Sequence, residues 1–165
     1  MDEWDALVTD TGPLISLEVL PDGFAWIRRH LQILFIPPAV LEEFAFPYGG
    51  PERCLSETGL KQVSMVRRPR ADALRRLRSY EMLDQGERHA IALAKEVQAP
   101  LLIEERAGRR VAQAVGVEST GIAGLIDRAR QQGALSFSEA RERWQILLDE
   151  HRIPEKLYRA LVQPE

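Results

Sequence analysis

Short runs of aliphatic and β-branched residues recur along the chain at positions 6–9 (ALVT), 33–36 (ILFI), 62–66 (QVSMV), 101–103 (LLI) and 117–120 (VEST). Runs of this length between turn-forming residues predict strands. Between them apolar residues return every three or four positions, which predicts helices over 12–20, 24–30, 38–46, 71–80, 84–98 and 106–115. Alternation of strand and helix implies an α/β fold with a central, mostly parallel sheet of four or five strands covered by helices. Beyond the last strand the pattern is helical only. One helix is predicted over 122–132, and Ser136 with Glu139 forms a capping box that opens another, ending near Glu150. Pro154 then stands at the start of a third helix over 155–162. The proline- and glycine-rich 47–51 (PYGGP) reads as an inserted loop. The division expected is an α/β domain over 1–133 and a C-terminal helical extension, 134–165, packed on the same domain.

Composition narrows the class. With 165 residues, 45% of them hydrophobic, the chain suits one core rather than several. It has no run near the roughly 20 apolar residues that a membrane-spanning helix needs. The opening MDEWDALVTD is acidic where a signal or transit peptide is basic. The single cysteine, Cys54, has no internal disulfide partner and reads as a small packed side chain. A cytoplasmic, membrane-free protein is expected. The net charge of −3 excludes a globally basic nucleic-acid binder, yet residues 67–78 (RRPRADALRRLR) carry +5 against −8 for the rest. Arg67, Arg68, Arg70, Arg75, Arg76 and Arg78 are therefore either a solvated helix face or a surface for phosphates or an acidic partner.

The acidic residues point to chemistry. Ligands of an open parallel sheet gather at the carboxyl ends of its strands. Asp10 directly follows the first predicted strand, and Glu104 directly follows the fourth. In the helix over 38–46, Val40, Leu41 and Phe44 define the apolar arc; Glu43 lies on its flank and Glu42 opposite it. In the helix over 84–98, Glu87 lies within the buried arc at the first turn. Helices crossing back over a parallel sheet start at the carboxyl edge, so Asp10, Glu43, Glu87 and Glu104 converge there. Such a cluster is unfavourable alone, and a divalent cation, Mg²⁺ or Mn²⁺ for all-oxygen ligands, relieves it. A cation so held can polarise a phosphodiester and acidify a bound water. Each member also has a plainer reading. Asp84-Gln85-Gly86-Glu87 has the form of a helix N-cap, Asp10 can cap the helix after it, and Glu43, Glu104 and Glu105 can be solvated side chains.

Other chemistries fit less well. Asp10-Thr11-Gly12 has the form of an aspartic-protease triplet, but that enzyme is all-β and needs a second aspartate of the same kind. A dehalogenase-like phosphatase wants a second aspartate where Gly12 stands. His30, His89 and His151 lack paired metal-ligand spacing and read as surface residues. Trp4, Trp26 and Trp144 read as packing residues. The glycines match neither a Walker nor a Rossmann loop.

Five segments carry a resemblance to a known family: LVTDTGPLISL (7–17), IPPAVLEEF (36–44), LDQGERHAIALAKE (83–96), LLIEERAGRRVA (101–112) and STGIAGLIDRARQQG (119–133). Together they resemble PIN domains, in particular the stand-alone prokaryotic group related to VapC-type toxins. The resemblance spans nearly the whole chain, with 45–82 its weakest part. It implies a three-layer α/β/α fold and a Mg²⁺- or Mn²⁺-dependent endoribonuclease leaving 3′-hydroxyl and 5′-phosphate ends. By position it places the family's four acids on Asp10, Glu43, Glu87 and Glu104, with Asp10, Glu87 and Glu104 as metal ligands. It also implies RNA as substrate, a cognate antitoxin as partner and a homodimer. The strand-end acid, usually aspartate in the family, is here Glu104 followed by Glu105, and Ile122 stands where threonine is common. A non-catalytic PIN-like nucleic-acid-binding or scaffolding protein with a drifted acidic site is the alternative.

Overall fold

The computed structural model describes residues 4–163. Residues 1–3, the acidic start of the chain, and the side chain of Trp4 lie outside the described set. Five parallel strands, β1 (Trp4–Thr9), β2 (Leu31–Ile36), β3 (Ser64–Val66), β4 (Leu101–Leu102) and β5 (Ser119–Thr120), form one sheet in the order β3-β2-β1-β4-β5. The register pairs Val8 with Phe35 on one side and with Leu101 on the other. The order runs outward both ways from β1, so the switch point of the sheet lies between β1 and β4. A crevice opens at the carboxyl ends of strands at such a point.

Helices α1 (Thr11–Val19), α2 (Gly23–His30) and α3 (Pro38–Ala45) follow the first two strands. Helices α4 (Pro51–Thr58), α5 (Ala71–Arg75), α6 (Gln85–Val97) and α7 (Arg106–Ala114) come next, and α8 (Ile122–Gln131), α9 (Phe137–Asp149) and α10 (Glu155–Val162) close the described chain. The result is the three-layer α/β/α arrangement. The core runs through the sheet, where Val8, Leu34, Ile36, Leu101 and Leu102 are fully buried, as strands covered on both faces must be. Trp26 and Trp144 belong to it, and Trp144 Nε1 donates to Ala123 O, fastening α9 to α8. Among the described residues no helix is long and apolar enough to cross a membrane.

Three local differences from the sequence pattern have physical causes. The segment read as a loop at 47–51 ends in a helix, because Pro51 takes its first position and Gly59, at φ 74°, closes it. Only Cys54 and Thr58 of that helix are buried, so apolar periodicity could not announce it. Helix α5 stops at Arg75 instead of reaching 80. Past it, bonds from Leu77 N to Leu74 O and from Arg78 N to Arg75 O tighten the chain, sending Leu77 into the core. His89 is half-buried rather than a surface residue. Burial, then Arg68 and Arg88, push its pKa down, and Nδ1 has no hydrogen-bond partner among the described residues.

Candidate active site

Asp10 leaves the end of β1 at the switch point, where its backbone N–H donates to Leu102 O at 2.9 Å. The residue is 6% exposed. Burial, and then the charges of Asp84, Glu87 and Glu43, push its pKa up from 3.8 to about 7, against the lowering effect of a hydrogen bond from the Thr11 backbone. Glu43, on α3, is turned toward this point by Thr11, whose Oγ1 donates to Glu43 Oε2 at 3.1 Å. Gly86, in the first turn of α6, completes the cradle. A Cβ built there would stand 3.5 Å from each of Asp10 Oδ1, Asp84 Oδ1 and Glu43 Oε2. Carboxylate oxygens from three separate segments thus face the position that a Cβ on this glycine would take.

The turn opening α6 divides two acids between two tasks. Asp84 Oδ1 accepts from Glu87 N at 2.7 Å, and Glu87 Oε2 accepts from Asp84 N at 2.9 Å, a complete capping box. Glu87 is buried behind this box, with Oε1 facing Gly108 of α7, and burial is the first cause raising its pKa. Asp84 is the one that reaches the cleft wall. Sequence reasoning assigned Asp84 to capping alone. Its signal was present, since an N-cap at the carboxyl edge shares that edge with Asp10.

Glu104 has a different setting. Ser16 Oγ donates to its Oε1 at 2.6 Å, Arg152 Nη2 donates to the same oxygen at 3.3 Å, and the N–H of Ile122 donates to Oε2 at 3.3 Å. Arg109, one turn into α7, donates to the Glu104 backbone carbonyl at 3.2 Å. Both walls face one open cleft of about 420 Å³, lined also by Glu105, Arg106 and His151. Arg152, from the C-terminal extension, had no signal in the linear sequence, because its partners Gly12 and Ser16 lie 140 and 136 residues away.

The donor set suits a hard divalent ion: oxygen atoms only, negatively charged, with Asp10 buried against its own charge. Among the described residues, no three acidic, histidine or cysteine side chains already stand drawn in around a single ion position. The cradle at Gly86 therefore fits such an ion in its chemistry and is open in its geometry.

The arginine-rich stretch lies apart. Arg67 and Arg70 pair with Glu96 at 3.7 and 3.9 Å, and the Arg70 backbone N–H donates to Glu96 as well. Glu96 is twelve positions along α6 from Asp84, about 18 Å at the rise of an α-helix. Arg68, Arg75, Arg76 and Arg78 are exposed.

A family model described as a PIN domain matches residues 6–164. Solved structures that match include a PilT N-terminus domain protein from the hyperthermophilic archaeon Sulfolobus solfataricus P2. It is 21% identical, with a TM-score of 0.48 over 73% of this chain and 88% of that one. No curated protein matches the chain.

Proposed function

The chain belongs to the PIN-domain family, a family of nucleases, and from that premise we propose that it is an endoribonuclease dependent on Mg²⁺ or Mn²⁺ that acts as the toxin of a toxin–antitoxin pair. The observation that carries the reading is the buried Asp10, with its pKa raised to about 7, facing Glu43 and Asp84 round Gly86. Burying a carboxylate among carboxylates is unfavourable unless something positive completes the site. Asp10, Glu43 and Asp84 would hold the ion, with Glu87 fixing Asp84 from behind. When bound, the ion supplies charge to a phosphodiester oxygen and lowers the pKa of a bound water.

The chain's own groups do the rest. Thr11 holds Glu43 in place by its hydroxyl. The Asp84–Glu87 box fixes the first turn of α6, so the glycine cradle keeps its shape. Arg106 and Arg152 bring positive charge to a cleft that otherwise repels RNA. In this reading RNA is the substrate, an antitoxin and a second copy are the protein partners, and the cytoplasm is the compartment. The exposed Arg68, Arg75, Arg76 and Arg78 then serve as an outlying contact for RNA or for an acidic antitoxin segment.

The test is a titration of RNA cleavage with Mg²⁺ and Mn²⁺ in wild type and Asp10→Asn. Cleavage that needs the ion and vanishes in the variant supports the reading; cleavage in excess EDTA, or by Asp10→Asn at the wild-type rate, removes it. One observation favours a second reading, a non-catalytic nucleic-acid-binding PIN protein: Glu104 already has a cation, Arg152. RNA binding without cleavage in either ion would select it.

A further inference from the structure

The turn after α9 is built to aim one arginine. It is a Schellman turn: the N–H of Arg152 bonds Leu147 O at 2.7 Å, and that of His151 bonds Leu148 O at 3.0 Å. Glycine is the usual occupant of the left-handed position, yet here His151 holds it at φ 57°. A non-glycine residue kept there is backbone strain, and strain that persists points toward function.

Arg152 enters the cleft with one edge of its guanidinium fully engaged. Nε donates to Ser16 Oγ at 3.0 Å, and Nη2 donates to Gly12 O at 3.0 Å and to Glu104 Oε1 at 3.3 Å. Those three bonds fix its plane from α1 and from the end of β4. The two N–H donors of Nη1 have no partner among the described residues, and the side chain, 26% exposed, lines the cleft. A planar guanidinium held through Nε and Nη2 with Nη1 free is preorganised to donate to a phosphate oxygen.

We propose that Arg152 is a substrate-contacting residue, whose free Nη1 edge binds a backbone phosphate of the RNA strand in the cleft. Glu104 is then its positioning partner, holding the guanidinium while neutralising part of its charge. The inference rests on the nucleic-acid reading of the cleft and adds to it which residue takes the phosphate.

The experiment measures binding of a short, fluorescently labelled single-stranded RNA by anisotropy across a range of salt. Ca²⁺ replaces Mg²⁺, and the full chain is used as wild type, Arg152→Gln, Arg152→Lys and Glu104→Gln. Arg152→Gln loses at least about tenfold in affinity, as expected for a hydrogen bond to a charged group. Its plot of log affinity against log salt flattens by roughly 0.7, one phosphate contact on a single strand. Arg152→Lys restores the slope but only part of the affinity, since lysine offers charge without the planar guanidinium that Ser16, Gly12 and Glu104 hold in place. Glu104→Gln tightens RNA binding, because glutamine keeps an oxygen acceptor for the guanidinium while removing the charge that neutralises it.

A folded Arg152→Gln with wild-type affinity and slope overturns the inference. If Arg152→Gln does not fold, Glu104→Gln decides: unchanged or weaker RNA binding overturns it equally, and so does a wild type that binds no RNA. Metal-dependent cleavage by wild type alongside unchanged binding by Arg152→Gln keeps the nuclease and rejects the arginine. Loss of binding in Arg152→Gln, with no cleavage by wild type, keeps the arginine and rejects the nuclease.

Discussion

On one wall of the cleft Asp10, Glu43 and Asp84 meet round Gly86 with no basic side chain bonded to any of them among the described residues. On the other, Glu104 accepts from Ser16, Arg152 and the Ile122 backbone N–H. The two walls descend from neighbouring strands and are acidic in the same way, yet one is electrostatically complete and the other is not. Acidic residues at a strand edge are thus not equivalent. The wall without a cationic partner among the described residues is the one that the proposed ion would complete, whereas Glu104 already has Arg152.

The largest effect expected from breaking this contrast is at Asp10. A carboxyl moved from 3.8 to about 7 by folding is penalised when ionised by something on the order of 4 kcal/mol. Asp10→Asn removes that penalty while taking away a ligand. It should lower cleavage by at least about a hundredfold and raise the melting temperature of the ion-free protein near pH 8. A calorimetric scan in EDTA beside a cleavage assay checks both; an ion-free variant that melts lower than wild type would contradict the unpaired wall.

The same group sets a pH dependence. Because folding raises this pKa, the native state binds more protons than the unfolded state between about pH 4 and pH 7. Its contribution to stability is therefore full below the unfolded value of 3.8 and is lost as pH rises through about 7. Mg²⁺ favours the ionised form, so the rise in melting temperature it gives should be larger near pH 8 than near pH 5. An equal rise at both would separate the ion from Asp10.

Asp84→Asn sharpens the comparison. Asparagine caps helices as well as aspartate does, so stability should hold while Mn²⁺ affinity falls by roughly tenfold, read by calorimetric titration. Glu104→Gln should do the reverse, lowering ion-free stability by about 1–3 kcal/mol because its bonds to Arg152 and Ser16 weaken, with a smaller change in Mn²⁺ affinity. The smallest effect is reserved for Arg75, Arg76 and Arg78 replaced together by Gln. RNA affinity at moderate salt should change by only a few-fold, since exposed charges are screened within about 10 Å.

The sheet was legible in the sequence because each strand is a brief apolar run set between polar turns, and β1, β2 and β4 fall where those runs are. Helix α4 was not, because its stop and start signals, Gly50-Pro51 and Gly59, surround a segment with only two buried side chains. In the site, Asp10 and Glu43 could be placed by edge and by helical angle. Asp84 was hidden by its own capping motif, which explained it sufficiently at the local level. Arg152 was invisible for another reason: its partners are brought to it only by tertiary folding, and no periodicity encodes a contact across 140 residues.

That long-range contact also bears on when the protein becomes whole during synthesis. β1 and β2 can pair early, but β1 gains its other neighbour only after residue 101 has been made. The cleft receives Arg152 later still, after α9 has formed and turned back. Chains grow from the N-terminus, so every acidic residue of the cradle is synthesised before Arg152, although Asp10 is fixed at the switch point only once Leu102 of β4 is in place. A nascent or truncated chain that stops short of residue 152 would carry the charged cradle without its arginine, and a finished cleft reports a chain translated at least that far.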